Sequence, residues 1–369
     1  MADRPRLYFL DNLRAVVILL VVLLHASITY MAYAPEWWYV LDPDQGIGWT
    51  MLVLLVDVPN MQALFFVAGF LALPSLARRG TGGFVREKLI RLGVPWVFGV
   101  VVLAPLITYM IFISRGIERP YLEFWAGDFW GAWFQQAVYW FLGALLVLFL
   151  LLAWAWAASE RLRASKVRVT PPPARLFVGF VLLTAAGSAL ASPAVGLDDW
   201  RPFGWFLVVQ PARIAFYGGF FALGVYAERR GWLTGEGYRP EVGPWVAGAL
   251  LTGVGYLAYR LAGYPASIIE RSVASLLFAA FCLTGVMAGL AVFQHWGNRS
   301  GRAWRTLADN SFGIYYVHPL VLYPLAFLLV GVAVPSVLKV AVLVTVTIGA
   351  SLAVTALVLR RVPGLRRIF

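Results

Sequence analysis

Residues 13–34 read LRAVVILLVVLLHASITYMAYA, an apolar run with one arginine at its start and one histidine near its centre. A helix rises 1.5 Å per residue, so this run is long enough to cross the roughly 30 Å hydrocarbon core of a bilayer. Further apolar runs lie at about 50–77, 94–113, 133–157, 175–193, 205–227, 244–262, 271–294, 307–330 and 337–359. The pattern predicts an all-α, polytopic transmembrane bundle of about ten helices.

The composition agrees with a membrane protein and with a single domain over 1–369. Hydrophobic residues make up 61% of the chain and charged residues 13%, whereas soluble proteins carry roughly 25% charged residues. One cysteine excludes an internal disulfide, and with only three histidines a Cys/His zinc cluster is not expected. We therefore predict no metal site and no permanently bound cofactor.

The basic residues predict the orientation in the membrane. Of the 30 lysines and arginines, 22 fall in the termini and in alternate loops, while the opposite loops hold only Arg115, Arg119 and Arg201. Lys and Arg favour the cytoplasmic side, so both termini are predicted to be cytoplasmic, in a multi-pass protein of the inner (plasma) membrane. The net charge of +12 is then a topology signal and a contact for anionic lipids, not a nucleic-acid patch.

The N-terminal run has one alternative interpretation. Residues 32–34 read AYA, which imitates the small-residue cleavage site of a signal peptide. Asp11, Asn12 and Arg14 interrupt the start of the apolar run, which favours a retained first helix. Trp37, Trp38, Trp49, Trp125, Trp130 and Trp133 cluster where the outer interface is expected, as in an aromatic belt.

Ionisable side chains inside the bilayer are costly and mark functional candidates. In the first predicted helix, eleven residue steps separate Arg14 from His25, which returns His25 to within about 20° of the same face and roughly 16 Å deeper. Asp11 lies one turn before Arg14 on nearly the same stripe. The alternative is an arginine that reaches the interface and a histidine that only bridges two helices.

The ninth predicted helix repeats this arrangement. It also starts on the inside, so His318 is expected at a depth close to that of His25. Ser311, Tyr315 and His318 follow an i, i+4, i+7 spacing and share a face, and Pro319 is expected to kink the helix. Serine and tyrosine also often bridge membrane helices without further function, so a structural role stays open.

Two other polar groups stand out. Asp57, Pro59, Asn60 and Gln62 interrupt the second apolar run and predict a helix break, while Arg213 and Glu270 lie near the outer ends of later runs. Arg213 is a candidate for binding a succinyl carboxylate, or for neutralising Asp57 or Glu270. The inside loop FVREKLIR, 84–91, brings Lys88 and Arg91 together, either as ordinary positive-inside charge or to hold a phosphorylated ligand.

These motifs together resemble the acyltransferase-3 superfamily of integral membrane acyltransferases. Asp11, Arg14 and His25 match its first-helix signature, and residues 65–70, FFVAGF, match its Phe-Phe-x-x-Ser-Gly-Phe element with Ala68 in place of serine. The matches continue with a Lys-x-x-Arg-Leu-x-x-Pro segment at 88–95, Trp-Phe-Leu at 140–142 and a Ser-x-x-Ile-Tyr-x-x-His-like element at 311–318. The segments at 8–11, at 61–62 and around Glu270 resemble the branch that contains glucans biosynthesis protein C.

The resemblance implies transfer of an acetyl or succinyl group from cytosolic acyl-CoA, as co-substrate, to a hydroxyl of an extracytoplasmic glycan or similar acceptor. It makes His25 the general base, with Asp11 orienting Arg14, and His318 and Tyr315 holding the acyl carbonyl or the acceptor. Arg14, Lys88 and Arg91 are expected to bind the carrier phosphates. The predicted substrate-binding residues are Ser311, Trp140, Glu270 and Arg213.

Two rival functions come from other classes. A secondary transporter would also place ionisable His and Arg residues at the bilayer midplane, but internal repeats are not evident in this sequence. A non-catalytic partner of a glycan-assembly complex is the second rival. Direct attack of the acceptor on the thioester and a transient acyl-histidine are both compatible with the motifs.

Overall fold

A computed structural model describes residues 6–164, 169–191, 194–263, 265 and 267–369. Arg4, Lys166 and Arg168, which contribute to the predicted topology, and Pro193, the last residue of the fifth predicted run, lie outside this part of the chain. The architecture is helical, with one two-stranded sheet among the described residues. The predicted all-α polytopic bundle is confirmed; the side on which the termini lie stays a prediction.

Thirteen α-helices are present in the described ranges. They are α1 Tyr8–Ile28, α2 Ile47–Lys88, α3 Val94–Phe98, α4 Ala104–Ser114, α5 Tyr121–Ala126, α6 Trp140–Ala158, α7 Glu160–Ala164, α8 Ala174–Ala191, α9 Ile214–Arg229, α10 Val242–Ala262, α11 Ile268–Trp296, α12 Arg302–Leu328 and α13 Ser336–Val354. Short π-helical segments at Leu89–Gly93 and Gly99–Leu103 join α2, α3 and α4.

Each of the ten predicted runs contains a helix. Within the described residues, eight helical segments are long and apolar enough to cross a membrane. The segment Ile47–Ser114 has 68 residues and covers the second and third predicted runs. The sixth run corresponds to α9, which at 16 residues is shorter than a full crossing.

The structure corrects several predictions along the chain. The helix of the first run ends at Ile28 and not at 34, so His25 lies in its last turn. The sixth run does not begin as a helix at 205, because β1 (Arg201–Phe203) and β2 (Leu207–Val209) pair antiparallel around Gly204, whose φ of 58° suits a tight turn. The predicted break near Asp57 is also absent. Helix α2 continues through Pro59 and Pro74, and the non-helical residue within it is Gly80.

Helices α2 and α9 cross with their backbones in direct contact. A Cβ atom at Gly69 would lie 2.0 Å from the carbonyl oxygen of Phe221, and one at Gly224 would lie 2.1 Å from that of Phe66. Both distances are far below van der Waals contact, so each position requires glycine. The glycine of the FFVAGF element thus has a packing role.

Helix α1 lies at the centre of the bundle and packs against α2, α11, α12 and α13. Helix α12 in turn packs against α1, α4 and α13. The chain before α6, residues 127–139, reaches into this core, because the hydroxyl of Tyr139 donates to the carbonyl of Tyr316 at 3.1 Å. The middle of α12 therefore meets the chain just before α6.

Candidate functional site

Two buried imidazoles meet between α1 and α12. The ring centroids of His25 and His318 lie 5.2 Å apart with a 46° angle between the planes. This confirms the matched depth predicted for the two histidines. His318 is fully buried, whereas His25 is partly exposed and lines a cavity.

Backbone carbonyls fix the tautomer of both rings. Nδ1 of His25 lies 2.8 Å from the carbonyl oxygen of Val21, and Nδ1 of His318 lies 2.7 Å from that of Tyr315. A carbonyl can only accept, so Nδ1 carries the proton in each neutral ring and Nε2 keeps its lone pair. Both histidines are thus arranged as proton acceptors at Nε2.

A cavity of about 470 Å³ lies on one side of the histidines, and we call it the cationic cavity. Its charged lining consists of Arg14, Lys88, Arg91, Arg360 and one carboxylate, Asp309. The deeper wall is apolar, and Ser311 and Tyr315 add hydroxyl groups; the apolar lining includes Ile18, Leu64, Val67, Ala68, Leu71, Phe141, Leu142, Leu145 and Phe149.

The cations of this cavity are held by several kinds of contact. Arg14 pairs with Asp11 at 3.3 Å, and Asp11 also accepts from Arg6 at 2.7 Å. Arg91 lies 3.6 Å from Glu87. The ammonium of Lys88 lies over two aromatic rings, 5.0 Å from the centroid of Phe84 and 4.5 Å from that of Phe149. These contacts orient the cations and leave them in the cavity wall.

A second cavity of about 530 Å³ lies on the other side, and we call it the aromatic cavity. Its polar lining includes Gln135, Gln136, Asp198, Asp199 and Arg201, together with His25. Eight aromatic residues complete it: Trp37, Trp38, Tyr39, Trp133, Phe134, Trp140, Trp200 and Tyr323. Aromatic faces with a few amide and charged groups are typical of a site for an uncharged polar ligand.

The wall between the two cavities is thin. Trp140 lines the aromatic cavity and the next residue, Phe141, lines the cationic cavity. The hydroxyl of Tyr315, from the cationic cavity, donates to the carbonyl of Val138, which lines the aromatic cavity. His318 lies buried against this wall. Groups that enter from opposite sides could therefore meet at the histidine pair.

Residues 7–358 match the family described as "Acyltransferase domain", of the acyltransferase-3 type. The chain belongs to the acyltransferase-3 family. The match covers nearly the whole chain, including the histidine pair, the aromatic cavity and most of the cationic cavity.

Individual acyltransferase-3 relatives are more distant. Glucans biosynthesis protein C of Escherichia coli K12 is 26% identical over 155 residues, which cover 40% of this chain and 38% of that relative. The same protein of Escherichia coli O1:K1 aligns equally well. The alignment thus spans well under half the length of these curated relatives. No solved structure matches the chain significantly.

The remaining predicted residues of this acyltransferase-3 chain lie away from the histidine pair. Arg213 precedes α9 and donates to Asp57 at 2.6 Å and to Asp198 at 2.5 Å. This is the pairing with Asp57 that neutralisation predicts. Glu270 caps the N-terminus of α11, where its side chain accepts from the backbone N–H of Ser267 at 2.9 Å.

Asp198 connects this ion pair to the aromatic cavity that it lines. Its second oxygen accepts from Arg260 at 2.6 Å. Burial by itself would raise the pKa of the Asp198 carboxyl, but Arg260 and Arg213 outweigh burial and hold that pKa at about 2, below its ordinary 3.8. Asp198 therefore stays ionised across the physiological range and fixes the loop beside the cavity.

Several residues of the site were not identified from the sequence. Trp38, assigned above to an aromatic belt, is only 4% exposed and stacks on His25 at 5.8 Å between centroids. That assignment is wrong for Trp38, because the segment after α1 folds back over the histidine. Tyr323 was not singled out either, although it follows His318 by five residues on α12. The indole of Trp38 and the phenol of Tyr323, each near a candidate histidine in the sequence, are the features that could have indicated these two site residues.

Proposed function

We propose that this acyltransferase-3 protein transfers a short acyl group from cytosolic acyl-CoA to a hydroxyl of an extracytoplasmic glycan, with His25 as general base. The observation that carries the proposal is the pair of cavities with different chemistry, separated by a thin wall at Tyr315 and the start of α6. His25 lines the aromatic cavity, and His318 is buried beside this wall. The donor enters the cationic cavity and the acceptor enters the aromatic cavity. The predicted positive-inside orientation gives each cavity the required side.

The cationic cavity suits the donor because acyl-CoA joins phosphates to a long, thin arm. Arg14, Lys88 and Arg91 would contact the phosphates, and charge-assisted hydrogen bonds of this kind are the strong ones. The apolar wall that follows would take the arm and bring the thioester toward Tyr315. Arg14 and His25 are eleven residues apart, or about 16 Å along the helix, so an extended arm can span the distance.

The acyl group proposed here is uncharged, such as acetyl. Beyond the cations, the lining residues Leu64, Val67, Ala68 and Phe141 offer no group for a carboxylate. Arg213, the candidate for a succinyl carboxylate, is already paired with Asp57 and Asp198. An unpaired carboxylate in this wall would be costly.

The aromatic cavity suits a sugar acceptor. Indole and phenol faces can cover the C–H faces of a pyranose, while Gln135, Asp199 and Arg201 can bond its hydroxyl groups. Part of the cavity reaches His25, where one acceptor hydroxyl would lie. The name of the relative, glucans biosynthesis protein C, supports a glycan as the acceptor class.

Catalysis then follows from the tautomer of His25. Its Nε2 removes the proton of the acceptor hydroxyl, and the hydroxyl oxygen attacks the thioester carbon. The C–S bond breaks as the intermediate collapses, and His25 returns the proton to the thiolate of CoA. His318 in its neutral form cannot donate at Nε2, and the single proton of the acceptor hydroxyl goes to His25. We therefore assign His318 to orient the ring of His25, which it contacts.

The test uses the purified full chain in lipid nanodiscs with acetyl-CoA and a linear β-glucan oligosaccharide. We expect release of free CoA thiol that depends on the oligosaccharide, and a product heavier by one acetyl group in mass spectrometry. A secondary transporter would instead accumulate unmodified sugar in proteoliposomes without thiol release. A non-catalytic partner would do neither. Family membership and the donor-shaped cavity favour the enzyme.

A further inference from the structure

Two buried hydrogen-bond donors in the wall of the aromatic cavity, which His25 also lines, have no partner among the described residues. They are the indole Nε1 of Trp38 and the hydroxyl of Tyr323. Their side chains are 4% and 0% exposed, and both line the aromatic cavity. Buried polar groups are nearly always paired, so two orphan donors at one cavity call for a ligand group that accepts.

The two rings form a chain of contacts that starts at the proposed base. The indole of Trp38 stacks on His25, with 5.8 Å between centroids and 11° between planes. The ring of Tyr323 meets that indole edge-on, 5.7 Å between centroids at 83°. The neighbouring Tyr39 differs, because its hydroxyl is already bonded to Gln135 at 2.9 Å.

Acyl transfer is helped by hydrogen-bond donors that face the carbonyl oxygen of the thioester. When the hydroxyl oxygen attacks, the carbonyl π electrons move to the carbonyl oxygen and give it a negative charge. Donors fixed in a buried site lower the energy of that charge and are often the largest single contribution to catalysis. Neutral His318 cannot supply one, because its proton is on Nδ1, bonded to the carbonyl of Tyr315.

We propose that Nε1–H of Trp38 and the hydroxyl of Tyr323 are the oxyanion donors of the transfer reaction. The inference rests on the proposed function, since it needs a tetrahedral intermediate near His25. Both donors release the oxygen when the C=O bond re-forms and the C–S bond breaks. No proton leaves either group, so the proton balance of His25 is unchanged.

The test compares Trp38→Phe and Tyr323→Phe with two matched controls. Tyr30→Phe and Trp232→Phe also remove buried donors without a partner among the described residues, but neither side chain lines the aromatic cavity. We expect kcat to fall by about 10²–10³-fold in each cavity variant, with little change in the KM of donor or acceptor. The control variants should keep the wild-type kcat.

Stability and binding make the result independent of folding. Removing an orphan buried hydroxyl leaves nothing unpaired, so Tyr323→Phe should melt no lower than the wild type. Binding of a non-reactive thioether analogue of acetyl-CoA, measured by calorimetry, should also be unchanged. A kcat equal to that of the controls would overturn the proposal, as would a raised acceptor KM at unchanged kcat.

The outcome separates this inference from the proposed function. If wild type releases no thiol with any acceptor, the proposed function fails. If wild type is active and His25→Ala is inactive, but both phenylalanine variants turn over at the control rate, only the oxyanion assignment fails. Should Trp38→Phe not fold, Tyr323→Phe alone decides, because it removes one oxygen atom and keeps the ring.

Discussion

The cationic cavity and the aromatic cavity are similar in volume, about 470 and 530 Å³, but their walls differ in composition. One combines four cations and one aspartate with a mainly apolar wall, and the other combines eight aromatic side chains with two amides, two carboxylates and one arginine. Tyr315, the start of α6 and His318 lie at the wall between them. Under the proposed function, two unlike substrates approach one reaction centre from opposite sides, so neither has to cross the membrane whole.

The largest effect is expected where the two cavities meet. His25→Ala removes the general base and should lower kcat/KM by about 10²–10⁴-fold, measured by thiol release with saturating acceptor. His295→Ala is the matched control, because His295 is an exposed imidazole at the end of α11. Wild-type turnover in His25→Ala would contradict a catalytic meeting point.

A smaller and one-sided effect is expected in the cationic cavity. Arg14→Ala and Arg91→Ala each remove a charge-assisted contact and should raise the donor KM by about 10-fold, with the acceptor KM unchanged. Donor titration of initial rates measures this, and added salt should raise the wild-type donor KM as well. Arg305→Ala, at an exposed position outside the cavity, is the control. A change in acceptor KM alone would reverse the assignment of the two cavities.

The corresponding effect in the aromatic cavity should fall on the acceptor. Trp140→Phe keeps an aromatic ring beside Tyr217 but shortens the face available to a sugar, so the acceptor KM should rise by about threefold. The donor KM should not change. Trp154→Phe, at an indole that is 71% exposed and lines neither cavity, serves as the control. Equal shifts in both KM values would show that the cavities are not separate binding sites.

The smallest effect is expected on stability, from the ion pairs that Asp198 makes beside the aromatic cavity. Asp198→Asn removes the charge opposite Arg213 and Arg260 and should lower the melting temperature by roughly 2–5 °C at pH 7, since the carboxylate is partly exposed. The folded-state pKa is about 2 against an ordinary 3.8, so the ion pair stabilises the fold above pH 3.8 and its contribution is lost as the pH falls toward 2.

Melting curves from pH 8 to pH 3 measure this dependence. The difference between wild type and Asp198→Asn should be constant down to about pH 4 and shrink below it. Glu160→Gln, at a side chain that is 93% exposed, should melt like the wild type throughout. A difference that already shrinks near pH 6 would mean that the carboxyl is not held by its arginines.

The sequence predicts the site residues on helices much better than the site residues on the segments between helices. Arg14 and His25 lie on one helix, and the fixed rise and rotation of a helix convert their spacing into a position. The same argument predicts the position of His318, because α1 and α12 are both predicted to start on the cytoplasmic side of the membrane. Trp38 and Asp198 lie on segments between helices, whose paths depend on tertiary packing. The sequence assigns residues 205–209 of the hairpin to a helix because their apolar run continues into α9.

The glycine crossing of α2 and α9 has a consequence for how the molecule can move. At Gly69 and Gly224 each helix packs directly against a backbone carbonyl group of the other helix. This close contact prevents α2 and α9 from sliding along each other. Relative motion of α2 and α9 is therefore limited to rotation about this contact. Phe65, four residues from Gly69, stacks on Tyr217 and meets the ring of Phe141, a lining residue of the cationic cavity, edge-on. The part of the cationic cavity that Phe141 lines is therefore held in place by this helix contact. A long donor would have to be accommodated by movement of the other walls.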